Sequence, residues 1–451
     1  MKMLFYLHCY IEKEYEMKVL KKIGKIILII AVVISIILVV VLNYKTVLVM
    51  HKNKAVVDSA KAVSEIDISD NVQIVGLGEA THGSVEFQES KLEIFKMLVE
   101  KEGYSAICLE ADFGDCLRAN EFVQGGEGDA REIVNDLSFN LYHTKQMADL
   151  LDWMREYNNS VPEDKHIRFY GFDMQNPEKC VEYLYEYMKK HGITGKETSG
   201  IDYFVDETRT EPMTEDDVKK VKEELEDIKK EIIISAAYDQ DLDALFAAKA
   251  ADNIATCADY TLIDFQADYQ KKFAARDTAM ADNVSWILDL EKKIGSGKIM
   301  LAAHDGHISK KPHSMLQPVT MGGLLKENYG DAYYSLGTDF FKGKTNASVS
   351  SVISSEYQRK DFFFTTADPI AYQAKYMDDK RFYLDFETVS SEDNKALYDL
   401  IHSEVSMGTL GEGLSGIYYF MHSAYRIEMK PADLYDGMIF YYNVSAISPQ
   451  Y

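Results

Sequence analysis

Val72–Asp112 reads VQIVGLGEATHGSVEFQESKLEIFKMLVEKEGYSAICLEAD. Two apolar runs, Val72–Leu77 and Ala106–Leu109, flank a stretch from about Val85 to Lys101 whose apolar residues recur at helical spacing, and Gly103 suits its stop. Strand, glycine loop, helix and strand make a βαβ unit, which predicts a parallel pair joined by a right-handed crossover. Each run ends in a carboxylate: Glu79 lies just past the first and Glu110 at the tip of the second, with His82 three residues after Glu79. Ligands of open α/β sheets bind outside the carboxyl ends of the strands. Two carboxylates and an imidazole are therefore expected on one rim.

Working outward, the same pattern recurs. Ile167–Phe172 is a short apolar run ending at Asp173, and Lys298–Ala303 ends in His304, Asp305, Gly306 and His307. Tyr333–Leu336 is a fifth candidate strand, ending in Gly337, Thr338 and Asp339. These runs predict an α/β core with a mostly parallel sheet over residues 71–345. Within it, residues 178–270 change character. MTEDDVKKVKEELEDIKKEIIISAA pairs Glu with Lys at helical spacing, Thr214 and Asp217 resemble a capping box, and Leu242–Ile263 is Ala-rich. An inserted helical hairpin is expected, serving either as a solvated insert or as a wall of the cleft. Residues 346–451, with runs at Phe382–Phe386, Gly416–Met421 and Gly437–Val444, read as a smaller α+β C-terminal region that completes the catalytic domain. Residues 43–70 read as a connector carrying an amphipathic helix over His51–Ile66.

The chain has 451 residues and a net charge of −24, which disfavours binding to a phosphate backbone and so predicts no nucleic acid partner. Thirty tyrosines and 21 phenylalanines fit aromatic packing or an aromatic-lined cleft. Five cysteines, Cys9, Cys108, Cys116, Cys180 and Cys257, form no C-x-x-C and suggest neither a disulfide framework nor a zinc knuckle. Near the N-terminus, Ile26–Leu42 carries no charge. Lys18, Lys21, Lys22 and Lys25 precede it. The run approaches bilayer-spanning length, and the lysine excess before it predicts a cytoplasmic segment at 1–25 and an uncleaved transmembrane helix at 26–42. The catalytic body is then expected outside the cell membrane.

Four apolar runs ending in ionisable residues (Glu79 with His82, Glu110, Asp173, and His304 with His307) are hard to explain as helix caps alone. There is no G-x-S-x-G, no H-E-x-x-H, no Walker spacing and no complete dinucleotide fingerprint. Histidines and carboxylates remain as the chemical groups. An imidazole flanked by a carboxylate can take a proton from water, and a second imidazole can donate to an oxyanion or leaving group. That is a metal-free hydrolase. The same residues also form a ligand set for zinc or manganese, which would suit a hydrolase of a peptide or amide bond. Lys91, on the first helix, either enters the cleft or faces solvent. His143 reads as structural, and His313, after Pro312, is open to either reading.

The motifs as a set resemble the erythromycin esterase family. Those that carry the resemblance are Gly78-Glu-Ala-Thr-His-Gly83 with Glu86-Phe87, Leu109-Glu110-Ala111, Arg276-Asp-Thr-Ala-Met-Ala-Asp-Asn283, His304-Asp-Gly-His307, Met321-Gly-Gly-Leu, Tyr334-Ser-Leu-Gly337 and Tyr435-Asp-Gly-Met-Ile439. The resemblance implies an α/β core with a helical insertion and hydrolysis of an ester or lactone, a macrolide in the founding members, without a metal. It implies that His82 is the base that activates water, with Glu79, Glu110 and His304 as its catalytic companions and His307 nearby. Lys91, Asp173 and Arg276 are candidate substrate-binding residues. Lys91 departs from the arginine common at that helix position and would supply a point charge in place of a bidentate clamp. The apolar N-terminal run is a second departure. A catalytically silent envelope-biosynthesis or binding module is the alternative from another class.

Overall fold

The computed structural model describes residues 1–234, 238, 241–313, 317–351, 356–414, 416, 422 and 425–449, without the side chains of 2, 4–13, 16 and 38–43. Two units are present, residues 1–51 and 52–451. The first is one helix, Lys2–Leu48, with the apolar side chains of Ile26 to Ile37 largely exposed. Among the described residues no helix is long and apolar enough to cross a membrane. The expected span at 26–42 therefore lacks structural support, and the side chains of its residues 38–42 lie outside the described ones.

Among the described residues, the second unit is built on a nine-stranded sheet. Its strands are β1 (Ile74–Glu79), β2 (Ala106–Asp112), β3 (Arg168–Asp173), β4 (Ile299–His304), β5 (Tyr333–Ser350), β6 (Tyr357–Thr365), β7 (Arg381–Asp385), β9 (Gly413–Leu414) and β11 (Gly437–Val444), while β8 (Val405–Gly408) and β10 (Arg426–Met429) form a separate antiparallel pair. The main order is β3-β2-β4-β1-β5-β11-β7, with β6 and β9 alongside β5. Its core strands are parallel, and every residue of β1, β2, β3 and β4 is buried, as expected when helices cover both faces.

The helix Val85–Glu102 leaves β1 and stops at Gly103, whose φ of 71° is the left-handed value that favours glycine. It leads to β2 as expected, but β1 and β2 are not paired. The later strand β4 lies between them and bonds to both. A crossover helix sets strand direction and handedness but not adjacency, and an apolar strand from far along the chain fills the gap. Its register sets Glu79 opposite His304.

The connector also departs from expectation. In place of a helix over His51–Ile66 there is only a short helix, Lys54–Ser59, and a 3-10 turn, Val63–Glu65. Lys61 N and O bond instead to Tyr383 O and N at 3.0 and 2.8 Å, so this backbone is satisfied by the β7 edge. The insertion contains helices Glu178–His191, Ser199–Phe204, Glu215–Ile234 and Leu242–Thr261. Thr214 and Asp217 exchange the expected cap bonds, at 2.6 to 3.2 Å.

β5 continues well past Leu336 to Ser350 and pairs from Lys342 onward with β6. β11 inserts between β5 and β7, so the C-terminal strands extend the same sheet. The expected run at 416–421 lies almost wholly outside the described residues. Cys108, Cys116, Cys180 and Cys257 are free, buried thiols.

The loop after β1 is fastened to this C-terminal part. Gly83 O accepts from Asn346 N at 2.9 Å and from Ile447 N at 3.0 Å, and a Cβ on Gly83 would stand 2.0 Å from Asn346 O. Because that obstacle is backbone, Gly83→Ala is expected to destabilise the fold by about 1–3 kcal/mol. Gly411→Ala, with nothing within 4 Å, should stay within about 0.5 kcal/mol. Thermal unfolding of the two variants checks this.

Candidate active site

The β1–β4 register brings the ends of two strands together, and the loop from Ala80 to Ser84 is held in place around them. Ala80 N donates to Thr338 Oγ1 at 3.1 Å, Leu410 N donates to Ala80 O at 2.9 Å, and the hydroxyls of Thr81 and Thr345 are 3.0 Å apart. On this support Glu79 divides its carboxylate. Oε1 is 2.6 Å from His82 Nδ1, and Oε2 accepts from Lys91 Nζ at 2.5 Å. Lys91 is only 2% exposed, reaching inward from the helix Val85–Glu102 over the Tyr142 ring. Burial alone would raise the Glu79 pKa. Lys91 and then His82 outweigh it and bring the carboxyl down to about 2. Burial likewise works against charge on His82, but the bond and charge of Glu79, with Glu110 behind, leave its pKa raised. Nδ1 faces the carboxylate, so Nε2 is the ring's basic atom.

Glu110 closes the second half of the site. Between Leu109 and Asp112 the β2–β3 register shifts in a bulge, a feature that re-aims side chains beside functional sites. Glu110 Oε2 accepts from His304 N at 2.7 Å, Oε1 accepts from Arg276 Nη2 at 2.8 Å, and His307 Nε2 lies 3.3 Å from Oε1. Arg276, on the long helix Tyr269–Ile294, also holds Asp173 through Nε and Nη2 at 3.1 and 2.6 Å. Burial opposes ionisation of Glu110, yet His307, Arg276 and His82 hold its pKa far below the usual carboxylate range.

His307 Nδ1 is 2.9 Å from Asp277 Oδ1, and its Nε2 is 3.0 Å from Arg276 Nη1. The neutral ring accepts from Arg276, and the protonated ring donates to Glu110. Burial works against the charge, but Asp277 and Glu110 leave the His307 pKa raised.

His304 differs from the other two. Burial first, then the charge on His82, lowers its pKa to about 3, so the ring is neutral. Its Nδ1 accepts from Gly306 N at 3.1 Å, which leaves the proton on Nε2. That Nε2 is buried and has no hydrogen-bond partner among the described residues. The His82 and His304 ring centroids are 5.2 Å apart. A poised basic imidazole thus faces a neutral imidazole donor, the pair needed to deprotonate water and receive an oxyanion.

All eight residues singled out in the sequence, Glu79, His82, Lys91, Glu110, Asp173, Arg276, His304 and His307, gather at this rim. Asp173 reaches it through Arg276, and Lys91 through Glu79. Sequence reasoning missed Asp277, which orients His307 and also accepts from Met321 N at 2.8 Å. Its adjacency to Arg276 was the available signal. Asp305 was missed as well: burial pushes its carboxyl well above the usual range, against Gly78. Among the described residues no three His, Cys, Asp or Glu side chains are placed to hold one metal ion. Each of the two glutamates already carries a side-chain cation.

The family model described as erythromycin esterase matches residues 99–444. The chain is 25% identical over 324 residues to the erythromycin esterase type II of Escherichia coli, covering 66% of this chain and 75% of that one. Among solved structures, a succinoglycan biosynthesis protein shares the fold at a TM-score of 0.71 and 20% identity, over 88% of this chain and 97% of its own. An erythromycin esterase variant in its open conformation aligns at a TM-score of 0.55 and 17% identity, over 84% of this chain and 92% of that one.

Because Lys91 and His82 together outweigh burial and bring the Glu79 pKa from 4.5 to about 2, the pairing of this carboxylate stabilises the fold above pH 4.5, and the contribution is lost as pH falls toward 2. Lys91→Met should cost about 3–5 kcal/mol near neutrality by removing the ammonium partner of a buried carboxylate that then keeps only His82. The gap from the unaltered chain should close as pH drops through that window, in denaturant unfolding measured at several pH values.

Proposed function

The chain belongs to the erythromycin esterase family, and on that footing we propose that it hydrolyses an ester or lactone with water activated by His82, without a metal. The observation that carries this reading is the 2.6 Å contact of His82 Nδ1 with Glu79 Oε1, set beside the unpartnered Nε2 of a neutral His304. Glu79 holds His82 in the tautomer whose Nε2 is basic and stabilises the imidazolium that forms, as the carboxylate does in a Ser-His-Asp triad. Lys91 keeps that carboxylate ionised.

In the first step His82 Nε2 takes a proton from water, and the oxygen attacks the carbonyl carbon. The carbonyl π electrons move to oxygen, which receives a hydrogen bond from His304 Nε2–H. When the tetrahedral intermediate collapses, the C–O bond to the alcohol breaks, and the departing alkoxide takes the proton from His82. The products are a carboxylic acid and an alcohol, and His82 returns to its neutral form. Glu110 positions His304 through the backbone N–H it accepts at 2.7 Å, and Arg276 holds Glu110 and Asp173 at the edge where substrate enters. The relatives' names make a macrolide lactone one candidate substrate among small-molecule esters. We further propose that the apolar run Ile26–Leu42 anchors the chain in the cell membrane with the catalytic unit outside. The lysines before the run support that orientation.

His82→Ala should lower kcat by about 10²–10⁴ on any ester the chain cleaves, and chelator should leave the unaltered enzyme unaffected. Activity lost to chelator and restored by zinc or manganese would overturn the metal-free mechanism. Because the base must be neutral and its pKa is raised above 6.5, kcat/KM should climb with pH along a limb centred above 6.5. Glu79→Gln, which removes the group that raises it, should move that limb downward. For the anchor, the full chain should stay with membranes through an alkaline carbonate wash, and its catalytic unit should be cut by protease added outside intact cells. Release by carbonate would argue against the span.

A further inference from the structure

His313 takes no part in the mechanism above, yet it stands beside it. Its Nε2 lies 3.2 Å from Thr409 Oγ1, while its Nδ1 is buried with no hydrogen-bond partner among the described residues. Thr409 is fixed, since its N donates to Tyr425 O at 3.0 Å and the next residue, Leu410, donates to Ala80 O. A Cβ on Gly306 would sit 2.7 Å from His313 Cε1 and 3.1 Å from His304 Nδ1. The two rings therefore flank Gly306, and a residue without a Cβ is what lets both come in. Burial, followed by the charge of His307, brings the His313 pKa down to about 4, so this ring is neutral as well. A buried nitrogen left unpaired is costly, and where a fold retains one beside a site a ligand or water completes it. His313 and His304 each carry one such nitrogen, Nδ1 and Nε2 respectively, on two rings that flank the same glycine.

We propose that His313 is a substrate-binding residue of this site, its Nδ1 sharing a hydrogen bond with a polar group of the substrate next to the carbonyl that His304 receives. The inference rests on the hydrolase reading for the identity of that carbonyl. It differs from a purely structural role, in which the ring would serve only as a tether to Thr409 through Nε2.

Two amide substitutions separate the roles, because an Asn amide reaches the place of Nδ1 and a Gln amide the place of Nε2. With p-nitrophenyl butyrate as probe, His313→Gln should raise KM by about tenfold with kcat little changed, the mark of an interaction made equally in ground and transition states. His313→Asn should stay within about threefold of the unaltered chain. Thr409→Val, which removes only the tether, should leave KM in place. A tether would give the reverse, with Gln silent and Asn impaired and lower in Tm, and would overturn the proposal. Equal losses in Gln and Asn would overturn it too. A second measurement does not need turnover: calorimetric binding of a butylphosphonate monoester should weaken about tenfold in the Gln variant and not in the Asn variant. If the unaltered chain binds the phosphonate in that pattern but does not cleave the ester, the hydrolase reading falls and His313 stands as a binding residue. If it cleaves the ester and the Gln variant is unimpaired, only the His313 proposal falls. A chain that neither cleaves nor binds overturns both.

Discussion

Two glutamates stand buried at the ends of the two parallel strands that flank β4, and each is paired there with a cation that reaches it from a helix. Lys91 does this for Glu79 and Arg276 for Glu110. Moving a charge out of water costs several kcal/mol unless it is paired and hydrogen-bonded. The surrounding structure follows from meeting that requirement twice. The helix after β1 must lie so that Lys91 faces inward at 2% exposure. The long helix before β4 must carry Arg276 to where Glu110, Asp173 and His307 converge.

The chemistry follows from how the remaining oxygens are used. Glu79 gives its second oxygen to His82, and Glu110 gives its second to the backbone of His304. Glu79 makes the His82 imidazole more basic, while burial and the charge on His82 keep the His304 ring neutral, although both stand at the same rim and are buried to a similar extent. Pairs of titratable groups driven apart by their surroundings are the usual arrangement for acid–base work near neutral pH. Relatives at 17–25% identity share the fold or the family, and fold alone does not choose a substrate.

Much of the site was legible along the chain. Strand tips carrying Glu79, Glu110, Asp173 and His304 could be read because a parallel strand buried on both faces is a short apolar run, and the first polar residue after it marks the rim. Lys91 could not be assigned to cleft or solvent, since a helix of modest amphipathicity gives no direction for one lysine. Asp277 was passed over beside Arg276 because neighbouring helix residues ordinarily face different ways. The expected pairing of β1 with β2 failed for a related reason: adjacency in a sheet depends on strands far away in sequence.

The amino-acid sequence by itself determined the α/β class, the order of the core strands along the chain, the inserted helices, the family and which polar residues lie at strand ends. These depend on local periodicity and on motifs a few residues long. Only the tertiary structure decided that β4 separates β1 from β2, that the C-terminal strand β11 joins the same sheet, which cation serves which carboxylate and which histidine is basic. Most of those outcomes depend on contacts across more than a hundred residues, as between Glu110 and Arg276 or Glu79 and His304, and the rest, such as Lys91 with Glu79, on the desolvation that only the packed chain imposes.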